Sequence, residues 1–67
     1  MVKHRDLAGA LRALGYRVEW PVSGDLLLDG HVTIRDARVT EVLAEADDVD
    51  RAASILHNDV VRMETAR

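Results

Sequence analysis

Leu26-Leu27-Leu28-Asp29-Gly30-His31-Val32-Thr33-Ile34-Arg35 is the stretch whose reading decides the fold. Asp-Gly between two apolar runs favours a type I′ turn, in which both central residues take positive φ, and such a turn joins antiparallel strands. On the returning side Val32 and Ile34 alternate with His31, Thr33 and Arg35, so one face of that strand is apolar and the other polar. The unbroken leucines on the outgoing side predict cover on both faces of the first strand.

Towards the N-terminus, Tyr16-Arg17-Val18-Glu19-Trp20 also alternates large apolar and charged side chains, the pattern of a half-buried strand, and Pro21 ends it. Pro21-Val22-Ser23-Gly24-Asp25 has turn chemistry. Before that strand, Leu7, Leu11 and Leu14 recur at helical spacing with Ala8 and Ala10 beside them, predicting an amphipathic helix over 3–14. Gly15 stands where a left-handed residue would stop that helix, and Tyr16 follows as its apolar contact. Gly9 costs roughly 1 kcal/mol against Ala inside a helix, and a strand packed closely over it would explain its presence.

Towards the C-terminus, Asp36-Ala37 reads as a second turn and Arg38-Val39-Thr40-Glu41-Val42-Leu43-Ala44, by its β-branched content, as a fourth strand. A bulged continuation of the third strand is the alternative. Asp47 or Asp48 then offers an N-cap, and Asp50 falls in a first turn where negative charge suits the helix dipole. Val49, Ala52, Ala53, Leu56 and Val60 form an apolar stripe, predicting a second helix over 48–58, with a continuation through Met63 left open, before a frayed tail at 65–67. The fold class expected is α+β in one domain over 1–67: helix, three- or four-stranded antiparallel sheet, helix, as a two-layer α/β sandwich.

At 67 residues without cysteine, the chain has neither disulfides nor thiolate metal sites to supplement a small core, so a partner or a second copy is expected to supply stability. The start of the chain lacks an apolar signal region, and no apolar run approaches the roughly 20 residues of a membrane span, so a cytoplasmic location is expected. Eight of the nine basic residues are Arg, and Ala, Val and Asp abound, a bias that suggests a bacterial or phage origin.

The net charge of −3 is unevenly spread: +3 over residues 1–17, −7 over 18–50 and +1 over 51–67. A basic first helix beside an acidic middle can steer a partner or favour head-to-tail self-association. The acidic balance, with one Trp and one Tyr as the only aromatics, lacks the footprint of a general nucleic-acid binder.

No catalytic constellation stands out. His4, His31 and His57 lie on different elements with no His-x-x-x-His pair, so solvated or structural histidines are expected, and His31 beside Asp29 is the one pairing to test. Glu45, Asp47, Asp48 and Asp50 lack the spacing of a calcium loop and read as helix-start acids. Ser23-Gly24 lies between two strands, which is not the setting of a nucleophile elbow. Trp20, in a chain without Phe, reads as a core residue ahead of a binding anchor. No cofactor, metal or catalytic residue is assigned.

The helix ending in Leu14-Gly15-Tyr16, then Val18, the Ser23-Gly24 turn, and Leu26 to Ile34 with its internal Asp29-Gly30 resembles the HicA-type toxins over residues 6–36. That resemblance implies a helix, three strands and a helix in a double-stranded-RNA-binding-like fold that cleaves mRNA. The family's catalytic His, just after the turn, is absent; Asp25 stands there.

The reading is a small non-catalytic interaction or regulatory protein that binds another macromolecule, as a homodimer or through a protein partner. Asp47, Asp48, Asp50, Val60 and Met63 are the expected partner-binding residues, the acids by charge mimicry and the apolar pair through a helix face left uncovered. The alternative is a nucleic-acid-binding regulator or HicA-like RNase fold using Arg5, Arg12 and Arg17 on phosphates.

Overall fold

A computed structural model describes residues 2–21 and 24–65, with side chains from His4 onward. Helix α1 (Val2–Ala13) buries Leu7, Ala8 and Leu11. Its end follows from Gly15, which takes φ 102°. There the Gly15 N–H donates to the Arg12 carbonyl at 2.9 Å and the Tyr16 N–H to the Leu11 carbonyl at 3.2 Å, satisfying two carbonyls the helix leaves free. Gly9 has a different fate from the one its sequence suggests. It is exposed, and a Cβ placed on it meets nothing within 4 Å, so no strand packs over it.

Three short strands follow: β1 (Val18–Glu19), β2 (Leu26–Leu28) and β3 (Val32–Ile34), antiparallel in the order β1-β2-β3. Asp29 and Gly30 both have positive φ, 55° and 76°, and the His31 N–H donates to the Leu28 carbonyl at 3.2 Å, as a type I′ turn requires. The register nevertheless sets Leu28 opposite Val32, not His31, so the returning side carries one extra residue. Cross-strand partners share a face. Without His31 as a bulge, the core-facing Leu28 would meet a histidine; with it, Leu28 meets buried Val32, and Leu26 meets buried Ile34.

The opposite sheet face carries Glu19, Leu27 and Thr33, which are mutual partners in the register. Glu19 and Thr33 are exposed and Leu27 is half-buried. The leucine run is therefore fully covered on one side and only partly on the other, contrary to its unbroken apolarity, because Leu26 and Leu28 take up the helix cover in a core shared with Leu7, Leu11 and Leu56.

The main departure from the sequence reading is at 38–44, which is not a fourth strand. Asp36–Glu45 forms helix α2, with Val39 and Val42 fully buried. Val39, Val42, Leu43 and Ala46 stand at i, i+3, i+4 and i+7, and that helical spacing, packed into the core, outweighs the β-branched content. The start of α2 is capped from outside: Arg35 makes no side-chain cap bond, and the Asp36 N–H donates to Asp25 Oδ1 at 3.0 Å.

Helix α3 (Val49–Thr65) runs on through Met63, past the predicted 48–58 core of that element. Asp48 is its cap: its Oδ1 accepts the Arg51 N–H at 2.8 Å and its carbonyl accepts the Ala52 N–H at 3.1 Å. The chain is thus α+β, with a helix, a three-stranded antiparallel sheet and two further helices, α3 packing against both α1 and α2. The turn after β1 closes with the Gly24 N–H on the Pro21 carbonyl at 3.2 Å; its Val22 and Ser23, like Ala66 and Arg67 of the expected frayed tail, lie outside the described residues.

Candidate functional site

The polar side chains that meet one another tie elements together. Arg38 on α2 donates from Nε to Asp59 Oδ2 at 2.8 Å and from Nη2 to Asp59 Oδ1 at 3.2 Å, a two-pronged bond across to α3, while its Nη1 donates to Glu41 one turn along. Asp59 is well covered, its side chain 15% exposed. Hydrogen bonds to Asp59, then to Glu41, hold the Arg38 guanidinium above its ordinary pKa. This clamp has no local signature, since its members are 21 residues apart and Arg38 reads as strand until α2 is recognised.

Each histidine has a neighbour, and no two share one. His57 on α3 meets the Tyr16 hydroxyl through Nδ1 at 2.6 Å, the direction of donation depending on the tautomer. Burial, and then the negative charges of Asp29 and Glu64, push the Tyr16 phenol up from its ordinary 10.0. His31 reaches Asp29 through Nδ1, but the contact is with the Asp29 carbonyl, at 3.0 Å. The Asp29 carboxylate points elsewhere: Oδ1 accepts the Arg17 N–H at 2.8 Å while the Asp29 N–H donates to the Arg17 carbonyl at 2.8 Å. The side chain thereby replaces the ladder bond that the turn takes away, and the expected His31–Asp29 pairing is a backbone contact. His4 lies against Trp20, ring centroids 4.8 Å apart, and Trp20 is half-buried and packed on the core.

The partner-binding residues read from sequence fall in two places. Asp47, Asp48 and Asp50 stand exposed around the start of α3, where Asp48 caps the helix. Among the described residues no group of three or more His, Asp or Glu is arranged to hold a metal ion. Val60 is corrected: it is 3% exposed and belongs to the core, because the α3 stripe reaches it before the cover ends. Met63 is 44% exposed and Val61 48%, while Leu14, at the end of α1, is 52% exposed. Val61 and Met63 do not share a face, since residues two apart lie about 160° from each other round a helix. Met63 continues the core stripe of α3 beyond Val60, and Leu14 does the same for α1 beyond Leu11.

Arg5, Arg12 and Arg17 are exposed, and none forms an ion pair among the described residues. Arg5, Gly9 and Arg12 lie together on the side of α1 turned away from Leu7 and Leu11. No helix among the described residues is long and apolar enough to cross a membrane.

Comparison with protein-family models, with characterised proteins and with solved structures finds no match. Asp25 has a structural task, the cap of α2.

Proposed function

We propose that this protein acts by binding, as a small regulatory module that self-associates into a homodimer, and not by catalysis. The observation that carries the reading is the apolar overhang: the core stripes of α1 and α3 outrun the core and leave Leu14 and Met63 in water. A core this small gains from an added apolar surface, and exposed large aliphatic side chains at helix ends are of the kind that interfaces cover. The polar contacts support the same reading, since Asp25, Asp29, Asp48, Arg38 and Asp59 are each engaged in holding elements in place.

The test is molar mass in solution by light scattering over a concentration series, for the native chain and for Leu14→Ser with Met63→Ser. The expected result is a dimer for the native chain and a folded monomer for the variant. A native chain that stays monomeric at every concentration overturns the homodimer.

A further inference from the structure

Two residues of this chain are unfavourable where they stand, and neither has a compensating contact among the described residues. Gly9 sits in mid-helix on the exposed side of α1 with open space over it, so nothing in the fold requires its missing side chain. Glu45 sits in the last turn of α2, where the helix dipole disfavours an acid and where no basic residue stands. Departures of this kind are expected where a surface serves something other than stability.

Their surroundings are complementary. Gly9 lies between Arg5 and Arg12, which are seven residues and so about 10 Å apart along the helix. Both guanidiniums are exposed and unpaired among the described residues, with Asp6 at the border of the face. The bare glycine lets another chain approach the α1 backbone closely between two cations. Glu45 begins the corner between α2 and α3, where Asp47, Asp48 and Asp50 follow against a single Arg51. Capping and the α3 dipole account for Asp48, Asp50 and the adjoining Asp47, but Glu45 stands in the last turn of α2, against the dipole of its own helix.

We infer that the outward face of α1, Arg5-Gly9-Arg12, docks the acidic α2–α3 corner, Glu45 and Asp47, of a second copy of this chain. This rests on the homodimer reading above and adds to it a charge-matched contact on the side of α1 away from the Leu7, Leu11 and Leu14 stripe. Charge complementarity favours the second copy over nucleic acid, because the acids needed to satisfy these arginines are carried by the chain itself and would repel a phosphate backbone. In a two-fold dimer the contact occurs twice, each α1 meeting the partner's corner.

The experiment uses the full chain with light scattering at roughly 20 mM and about 0.5 M salt, a range over which screening between exposed charges becomes strong. The native dimer is expected to weaken about tenfold or more at the higher salt. Arg5→Glu with Arg12→Glu, and separately Glu45→Lys with Asp47→Lys, are each expected to be monomeric, and a mixture of the two to recover a one-to-one dimer. That recovery also shows that neither variant failed through misfolding. Gly9→Gln is expected to weaken the dimer while leaving the helix at least as stable. A dimer indifferent to salt and to both charge reversals overturns this contact and leaves the apolar reading standing. A native monomer overturns both readings, and a monomer whose Arg12-dependent binding to an oligonucleotide rises at low salt assigns the α1 face to phosphates instead.

Discussion

The carboxylate of Asp25 accepts the backbone N–H of Asp36 at 3.0 Å, so the residue leading into β2 caps a helix that begins 11 residues later. The helix lacks a cap of its own, because Arg35 at the N-cap position makes no side-chain bond. Replacing Asp25 by Ala is expected to cost about 1 kcal/mol of folding stability, and Asp25→Asn less than half of that, as for N-cap residues generally. Urea unfolding of the three proteins checks the difference. Equal stability of all three would remove the capping role.

The Arg38–Asp59 pair joins α2 to α3 across a partly covered surface. With Arg38 itself 37% exposed, solvent discounts the attraction, so Arg38→Met is expected to cost about 1–2 kcal/mol, much of it from leaving Asp59 covered and unpaired. A double-mutant cycle with Asp59→Asn measures the coupling. A coupling energy near zero would mean that the two helices are held by apolar packing alone.

Tyr16 links stability to alkaline pH. Its phenol is pushed up by burial and by the charges of Asp29 and Glu64, so the unfolded chain ionises first as pH rises past 10.0. The raised value contributes stability that is complete below that pH and is lost as pH climbs through the folded-state value. Unfolding free energy measured across this range is expected to fall for the native chain, and the corresponding loss to be absent in Tyr16→Phe. Because Tyr16 is the only tyrosine, tyrosinate absorbance follows the same group directly.

Gly9→Ala is expected to stabilise the isolated chain by about 0.5–1 kcal/mol, since a Cβ there enters open space and the unfolded chain loses freedom. Thermal and urea unfolding of dilute protein check the sign. A loss of stability would show that α1 packs more closely at Gly9 than its open surroundings indicate.

The sequence by itself determined the elements whose causes lie within a few residues. Leu14-Gly15-Tyr16 ends α1 because a left-handed residue and two short-range hydrogen bonds suffice, and Asp29-Gly30 turns the hairpin because both positions accept positive φ. Asp48 starts α3 by bonding its own helix three residues on, and the stripe from Val49 to Val60 shows its face by spacing alone. Tertiary structure decided 36–45. Val39, Thr40 and Val42 favour a strand locally, whereas their segment is a helix because a distant carboxylate caps it, Arg38 reaches Asp59, and Val39 and Val42 have a core to enter. The spacing of Val39, Val42, Leu43 and Ala46 was legible beforehand, but only the packing gave it precedence over propensity. The same holds for the site: Arg5, Arg12 and the corner acids can be read as charges in a line, but which apolar side chains remain uncovered, Met63 and Leu14 and not Val60, depends on where the core ends in space.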